Sequence, residues 1–461
     1  MNGKKLHIGL SLSPTWLSGD AWRRRDSRVG EIFDSDLYVD LARRSEDAKL
    51  DFVFKPDSQF LDPVALSGGP GFSSLDPMIL LATLARETSR IGLVSTASTT
   101  FLPPYAVARQ LQSLNRVSGG RAGWNIVTSL DGQANFGLAD MPSSQERYAR
   151  AAEVTSVVQK LWASYPHDAL RVDRDNGVYA DPSAVGPVDH VGEFLSVAGP
   201  LTVPEPASGQ IPLFQAGSSP EGREFAATVA DAVFAATPDV DAGIELRNDL
   251  GARAERLGRT PDSLVVMPGL SMFLAPTSAH ARELHRETHA RMSRERKFTF
   301  VEATLGIDLR GLDPDGPVPV DDLPDPNRPV RSRTHAELVR RMVLRDRPTV
   351  AELLERPEIV ASAHWVVVGT ADDAVAQIVE RAEKGAMDGF IALPGGSWGS
   401  LGIFFDEVVP RLVERGLFRA EYSGTTLREH LTTHRTAVAV GESGDSPTAT
   451  ARSQCRVTRR R

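Results

Sequence analysis

Hydrogen-bonding side chains collect at the end of one short apolar segment of the chain. Residues 118–129 read SGGRAGWNIVTS: a Gly-Gly turn leads into an apolar strand that finishes in Asn125, Thr128 and Ser129. In a barrel of parallel strands, the loops that build the active site begin at the carboxyl ends of the strands. The segment therefore predicts the floor of a cofactor site, although a core strand that runs into a polar loop would have the same sequence.

A second motif is typical of an anion site at a helix N-terminus. The apolar strand predicted at 211–216 is followed by Gly217, Ser218, Ser219 and Pro220. Serine is a good N-cap, proline fits the first helical position, and glycine allows a sharp turn. The free amides of such a helix would point into the strand-end crevice, where they can bind a phosphate. Ordinary helix capping would produce the same motif.

Two more strand ends carry polar side chains. Asp57 follows the strand predicted at 51–54, and the hydroxyl-rich run 95–100, which includes Thr96, follows the strand predicted at 91–94. Such groups can bond to a polar ring or a phosphate, and a helix cap or a solvated loop is the simpler explanation. Tyr148 lies in the first turn of a helix predicted at 145–162.

Strand and helix patterns alternate along most of the chain, which predicts an α/β fold, a TIM-type (β/α)8 barrel. One domain is predicted over residues 1–435, with Pro-, Gly- and Asp-rich insertions at about 163–210 and 278–360. The polar composition of 436–461 predicts a disordered tail. The eight strands are predicted at 6–12, 51–54, 91–94, within 118–129, and at 211–216, 231–235, 264–274 and 389–394.

The histidines do not form a recognisable catalytic or metal motif. His285 and His289 share a helix face, but no glutamate stands where a zinc protease needs its base, and neighbouring arginines would repel a cation. No metal is therefore predicted. His364 precedes a predicted strand, which is the wrong end of a barrel strand for chemistry, so it is interpreted as structural. His335 opens a helix in the second insertion and could reach the barrel mouth, and no catalytic acid or base is assigned.

The bulk composition narrows the class of protein. The chain has 461 residues, 41% of them hydrophobic and 24% charged, and its formal net charge is -8. An acidic chain of this kind is a poor fit to a nucleic-acid surface, so a small-molecule partner is favoured. The single cysteine, Cys455, permits no internal disulfide, and no apolar run reaches membrane-spanning length. A cytoplasmic location and no membrane partner are predicted.

Several long motifs, in the right order, resemble one family. They are SGGRAGWNIVTS, ANFG, ERYARAAE with KLW twelve positions after Tyr148, the stretch 199–227 (GPLTVPEPASGQIPLFQAGSSPEGREFAA), and RGLFRAEYSGTTLREHL near the end. Together they resemble the NtaA/SnaA/DszA group of FMN-dependent monooxygenases in the bacterial-luciferase-like superfamily. The resemblance covers about residues 6–431.

The resemblance implies a barrel that binds FMN at its carboxyl face. It implies a two-component enzyme, in which a separate NAD(P)H-dependent flavin reductase supplies reduced FMN. O2 would add to this flavin to give a 4a-hydroperoxide that oxygenates a small organic substrate. The sequence has no strand-turn-helix with GxGxxG, which agrees with the absence of a nicotinamide domain. A homo-oligomer, dimer or tetramer, is expected.

The resemblance also implies roles for particular residues. Asp57 and Thr96 match flavin contacts at the ends of the second and third strands, and Asn125 and Thr128 are expected to face the flavin ring. Tyr148 matches a residue near the phosphate and ribityl chain. Ser219 matches the phosphate-binding serine, with Gly217 and Ser218 beside it. Ser144 stands where the family commonly has histidine, and it remains a candidate phosphate donor.

The substrate is the least determined part of the prediction. Trp16, Phe60, Phe72 and Trp398 lie on predicted rim loops, and if they converge, the pocket is apolar and favours a hydrophobic substrate over an aminopolycarboxylate. Two other functions remain open on the same barrel. One is a deazaflavin-dependent oxidoreductase, and the other is a flavin-binding protein without oxygenase activity.

Overall fold

The computed structural model describes residues 5–13, 17, 19–217, 219–290, 292–326, 328, 330, 333–360, 364–395 and 397–432. Trp16, Ser218 and the tail predicted at 436–461 lie outside this part of the chain. The strands are β1 (His7–Ser11), β2 (Phe52–Lys55), β3 (Gly92–Ser98), β4 (Ala122–Val127), β5 (Leu170–Asp173), β6 (Val178–Ala180), β7 (His190–Val191), β8 (Ser196–Val197), β9 (Leu213–Gln215), β10 (Ala232–Ala235), β11 (Val265–Leu274), β12 (Trp365–Gly369) and β13 (Gly389–Pro394).

Helices follow most of the barrel strands. They are α1 (Ser35–Asp47), α2 (Pro77–Glu87), α3 (Pro104–Val117), α4 (Ser144–Ala163), α5 (Pro220–Val229), α6 (Val240–Arg256), α7 (Ser278–His289), α8 (Arg294–Leu305), α9 (Arg333–Asp346), α10 (Val350–Glu355), α11 (Pro357–Val360), α12 (Ala371–Glu383), α13 (Trp398–Ile403), α14 (Val409–Glu414) and α15 (Leu427–Thr432). A π-helical turn, Phe404–Val408, joins α13 to α14. Pro410 lies just beyond it, and a proline has no amide hydrogen with which to continue regular α-helical bonding.

Eight parallel strands close into a barrel, which confirms the predicted fold. Their order is β10-β9-β4-β3-β2-β1-β13-β11, and pairing of β10 with β11 completes the ring. Each predicted barrel strand is present, and the largest difference is at β3, which ends four residues after its predicted end. The helices pack outside because their apolar positions recur every three or four residues, as Val107, Leu111 and Leu114 do in α3.

The interior of the barrel is filled by its own layer of side chains. Phe52, Phe54, Val94, Phe214 and Met267 form this inner cluster, and all are at most 2% exposed. Leu427 and Leu431 of α15 pack into the same cluster, and a Cβ on Gly92 or on Gly123 would lie within 2.7 Å of Leu427. Helix α15 therefore closes the amino end of the barrel, which leaves the carboxyl end as the open mouth.

A buried ionic cluster holds the C-terminal segment against that closed end. Asp51 is fully buried, receives hydrogen bonds from His7 and the Ile8 amide, and forms an ion pair with Arg419. Arg419 and His7 together keep the pKa of Asp51 below its usual range, although burial alone would raise it. The cluster stabilises the closed end and lies away from the mouth.

Strand β11 is longer than its barrel neighbours and extends beyond them. Its first four residues, Val265 to Pro268, pair with β10, which ends there. Beyond that point β12 takes the place of β10, because Trp365 pairs with Leu270 and Gly369 pairs with Leu274. Leu270 also pairs with Ala392 near the end of β13. The start of β12 is therefore level with the barrel mouth, and β11 and β12 form a wall above it.

Two long segments interrupt the alternation. Between α4 and β9 the chain forms two antiparallel strand pairs, β5 with β6 and β7 with β8. Glu153 of α4 anchors the second pair through His190 at 2.9 Å and the Phe194 amide at 3.0 Å. Helices α8 to α11 lie between β11 and β12 and share a separate apolar core that includes Val301 and Leu353.

Candidate active site

Three hydroxyl groups meet on one side of the mouth. The Tyr148 hydroxyl of α4 lies near the side chains of Thr128, just after β4, and Ser219, at the start of α5. Burial is the main cause of a raised pKa for Tyr148, so its phenol is protonated and can donate at neutral pH. Thr128, Tyr148 and Ser219 are referred to below as the hydroxyl cluster.

Helix α5 begins as its sequence predicts. Ser219 is the N-cap, its hydroxyl accepts a hydrogen bond from the Gly222 amide at 3.2 Å, and Pro220 occupies the first helical position. The Ser219 hydroxyl donates to Glu221 at 3.0 Å. The helix N-terminus therefore lies beside the Tyr148 hydroxyl, where its amides favour an anion.

Gly217 is required by the crowding at this point. A Cβ there would lie 2.1 Å from the Tyr148 hydroxyl oxygen and 2.5 Å from Gln215 Nε2. Both contacts are shorter than a carbon atom can make, so a larger residue would displace Tyr148 or Gln215. The glycine is thus needed for close approach rather than for an unusual backbone angle.

Helix α4 presents two more polar groups beside Tyr148. Ser144 lies one turn earlier on the same helix face, four positions before Tyr148. Arg147 donates to the Pro142 carbonyl at 2.5 Å, while its buried Nε has no partner among the described residues. Sequence reasoning did not select Arg147, although its place beside Tyr148 in the ERY motif was a usable signal.

Thr96 and Asn125 form a second pair, inside the barrel mouth. Both are buried, and the Asn125 amide donates to the Thr96 hydroxyl at 2.9 Å. The Asn125 carbonyl oxygen is buried and has no hydrogen-bond partner within the described ranges. A buried acceptor without a partner is costly, so this oxygen is available to a donor that enters the mouth.

Asp57 follows β2 at the same rim. Burial is the main cause of its raised pKa, while Lys55 acts in the opposite direction, and Gln59 donates to the carboxylate. Lys55 is fully buried and donates to the Ser74 hydroxyl at 2.5 Å, so its amine fixes the loop between β2 and α2. Burial lowers the pKa of Lys55 to about 8.

Of the four predicted aromatic residues, Phe60, Phe72 and Trp398 lie within the described residues. Phe60 and Phe72 are 40% and 52% exposed on the loop after β2. Trp398 begins α13, packs against the barrel-helix core, and lies under the Arg28 guanidinium at 4.6 Å. Trp16 lies outside the described residues. The apolar pocket therefore remains a prediction.

His364 lies at the barrel mouth, and the expectation that it occupies the wrong end of a strand is wrong. It directly precedes β12, which begins level with the mouth. Its ring stacks on Phe234 of the barrel interior, with centroids 5.3 Å apart. A Cβ on Gly269 would lie 2.6 Å from His364 Nδ1, so glycine is needed beside it. The error arose because β12 pairs above β10 and is not one of the eight barrel strands.

The imidazole of His364 can exchange hydrogen bonds with a molecule in the mouth. The side chain is only partly buried, yet its Nδ1 is buried and has no partner in the described chain. Burial lowers the pKa of His364 to about 4, and the nearby His335 acts in the same direction, so the ring is neutral at neutral pH. His335 of α9 is therefore in the neighbourhood of His364.

These groups fit FMN. A phosphate needs hydroxyl and amide donors, which the hydroxyl cluster and the N-terminus of α5 supply. A flavin ring offers N–H donors, which suit the unpartnered Asn125 oxygen. For metals the result is different: within the described ranges no group of three His, Cys, Asp or Glu side chains could hold an ion.

Comparison with known proteins identifies the family. The model of the luciferase-like monooxygenase family matches residues 20–388. The chain is similar to N-acetyl-S-(2-succino)cysteine monooxygenase of Bacillus subtilis, with 36% identity over 432 residues that cover 93% of this chain and 96% of the relative. It is also similar to dibenzothiophene-sulfone monooxygenase of Rhodococcus erythropolis, with 36% identity over 430 residues that cover 89% and 92%.

The solved structures agree. Riboflavin lyase (RcaE), determined with modified FMN and riboflavin, superposes with a TM-score of 0.79 at 31% identity, covering 93% of this chain and 96% of that one. The predicted family resemblance is thus confirmed. The chain belongs to the luciferase-like monooxygenase family, within its NtaA/SnaA/DszA group of two-component, FMN-dependent monooxygenases.

Proposed function

We propose that this monooxygenase binds FMN with the phosphate on the hydroxyl cluster and the ring over Thr96 and Asn125. The main support is the close contact at Gly217. There is no room for a Cβ at this position, because the Tyr148 hydroxyl lies directly against the backbone that leads into α5. Ser144 and Arg147 complete the phosphate side, for which Ser218 is also a predicted contact. Asp57, at the end of β2, is proposed to contact the ring.

Each group has a definite task in this arrangement. Reduced FMN, delivered by an NAD(P)H-dependent flavin reductase, supplies the electrons and the site at which O2 is activated. The hydroxyl cluster and the α5 amides neutralise the phosphate. The Asn125 carbonyl oxygen accepts from the ring and fixes its orientation. The partly buried His364 can hold or move a proton on the opposite side of the mouth.

A flavin titration tests the phosphate side. Tyr148→Phe removes the hydroxyl but keeps the ring, which packs on Phe225 at 5.9 Å. Loss of one hydrogen bond to the charged phosphate, at about 1.5 kcal/mol, should weaken FMN binding about tenfold. The measurement is quenching of flavin fluorescence, with Tyr179→Phe as the control because Tyr179 is 70% exposed. Equal FMN affinity in both variants would contradict the proposal.

The reaction is tested separately. With NADH, a flavin reductase, FMN and O2, we expect substrate-dependent incorporation of one atom of 18O2 into an organic product, measured by mass spectrometry. A catalase control removes product made by free peroxide. Tight FMN binding without any labelled product from a broad substrate panel would favour the flavin-binding alternative. Stronger binding of a deazaflavin than of FMN would favour the deazaflavin alternative.

Assembly and location are also proposals. We expect a dimer or tetramer, because the loops after β2 and β4 expose large apolar side chains, such as Val64 at 77%, and large exposed patches commonly pack against a second copy. Light scattering during size-exclusion chromatography measures the oligomeric state.

Among the described residues, no helix has the length and apolar character to cross a membrane. The need for a reductase is compatible with a cytoplasmic location.

A further inference from the structure

A cavity of about 590 Å³ lies in the second insertion, away from the hydroxyl cluster. Most of its lining residues lie on helices α7, α8, α10 and α11, and half of the lining residues are apolar, such as Leu354 and Val360. The volume is typical of a small-molecule site. The other half of the lining is polar and defines the chemistry that the cavity can recognise.

Cations dominate the polar half. Arg286, Arg294 and Lys297 line the cavity together with one carboxylate, Glu355. Lys297 is only 8% exposed and forms an ion pair with Glu355, while Arg286 pairs with Glu283. Among the described residues no carboxylate pairs with Arg294, whose guanidinium lies 5.4 Å from the Phe298 ring centroid. The cavity therefore retains uncompensated positive charge.

Two imidazoles complete the polar lining. The rings of His285 and His289 lie 4.4 Å apart, and both pack on Phe273 near the end of β11. His289 Nδ1 donates to the His285 carbonyl at 2.8 Å, because a carbonyl can only accept. The pair therefore provides a wall of two tilted rings that lines the same cavity as the cations.

The β11–β12 wall connects this cavity to the barrel mouth. Side chains alternate along a strand, so Phe273 faces the same side as Ser271 and Gly269, which is next to His364. Ser271 and its pairing partner Val366 are both partly exposed on the wall, as expected for residues that border an open space. Phe273 and Gly269 are four residues apart along β11, which corresponds to about 13 Å.

We propose that the cavity binds the carboxylate of the substrate, so that the enzyme oxygenates an organic acid. The proposal rests on the proposed function and names its substrate class. The carboxylate lies among Arg294, Lys297 and the two imidazoles, and an apolar body extends along the β11–β12 wall toward His364. The reacting atom is then on the order of 13 Å from the carboxylate. This replaces the expectation of a purely hydrophobic substrate.

The test uses two probes that differ only in charge, 4-phenylbutyrate and the neutral 4-phenylbutyramide. Their binding to the flavin-free full-length chain is measured by isothermal titration calorimetry at low salt. We expect the carboxylate to bind at least tenfold more tightly than the amide. The double variant Arg294→Gln, Lys297→Met should reduce this preference below about threefold, because it removes both cations and keeps most of the buried stem of Lys297.

Arg296→Gln is the matched control. Arg296 is on the same helix as Arg294 and is exposed, but it does not line the cavity. It should keep the tenfold preference. If the double variant does not fold, Arg294→Gln alone, at an exposed position, should still reduce the preference at least threefold.

The outcomes separate this proposal from the proposed function. Equal binding of the two probes, or equal loss of preference in Arg294→Gln and Arg296→Gln, would overturn the carboxylate site even where FMN binds normally. A preserved carboxylate preference in a chain that does not bind FMN would instead overturn the flavin assignment alone. Salt should weaken the preference in the unmodified chain, since the cavity is open to solvent.

Discussion

The hydroxyl cluster and the β11–β12 wall occupy different sides of the same mouth and differ in their chemistry. On the hydroxyl-cluster side, hydroxyl groups lie together beside the N-terminus of a helix, and charge plays a small part. On the β11–β12 side, imidazoles and cations face open space, and His364 has a buried nitrogen without a partner in the described chain. The first side is suited to a constant group such as FMN, and the second to a variable substrate.

The largest effect is expected on the hydroxyl-cluster side. Gly217→Ala places a methyl group against the Tyr148 hydroxyl and Gln215. Both must move, so FMN affinity should fall on the order of 100-fold, or about 2.7 kcal/mol. The melting temperature should change little, because the clashing atoms are side-chain ends. Fluorescence titration and thermal unfolding measure the two effects.

Gly186→Ala is the control for this variant, since a Cβ on Gly186 meets nothing within 4 Å. It should bind FMN normally. Normal FMN affinity in Gly217→Ala would show that the hydroxyl-cluster side does not bind the cofactor. It would contradict the assignment of the two sides to cofactor and substrate.

The second prediction concerns His364, on the β11–β12 side, and distinguishes an effect on the reaction rate from an effect on FMN binding. His364→Gln keeps a hydrogen-bonding group at the mouth but removes the proton-exchanging ring. The oxygenation rate at saturating substrate should fall at least tenfold, because glutamine cannot exchange a proton as an imidazole does, while the FMN dissociation constant stays within threefold. Rapid-quench kinetics and flavin titration measure these quantities.

His167→Gln, at an exposed position in the first insertion, should change neither quantity. A parallel loss of FMN affinity and rate in His364→Gln would mean that the imidazole supports the cofactor. An unchanged oxygenation rate would indicate that His364 has only a structural role.

The smallest effect concerns pH. Burial is the main cause that lowers the pKa of both His285 and His364 to about 4, whereas an unfolded histidine titrates near 6.5. Between these values the unfolded chain binds more protons, so the free energy of unfolding falls as pH decreases from about 6.5 to 4. Each histidine contributes at most about 1.4 kcal/mol per pH unit.

Urea unfolding between pH 4.5 and 7.5 measures this dependence. Carboxylates also contribute in this range, so the informative quantity is the difference between the unmodified chain and the double variant His285→Asn, His364→Asn. The variant should have the shallower slope, and His167→Asn should match the unmodified chain. Identical slopes in all three would contradict the assigned pKa shifts.

Local sequence determined most of the hydroxyl-cluster side. The Ser219 cap, Pro220 and the Gly217 turn are short-range signals, because helix caps and turns depend on neighbouring residues. The eight barrel strands were also predictable from apolar periodicity. Arg147 was missed although its signal, the ERY motif, is local. Gln215 was missed because its role depends on close approach to Gly217, beside Tyr148 of another element.

The position of the residues on the β11–β12 side depends on the tertiary structure alone. In the sequence, His364 and the helix bearing His285 and His289 are about 75 residues from each other, and nothing local shows that β12 pairs above β10. Strand register is a long-range property, so a histidine before a strand could not be placed at the mouth without it. The same holds for the cavity, whose charged side chains come from three helices that are brought together. Sequence by itself therefore determined the barrel and its cofactor side, and packing decided where the substrate side lies.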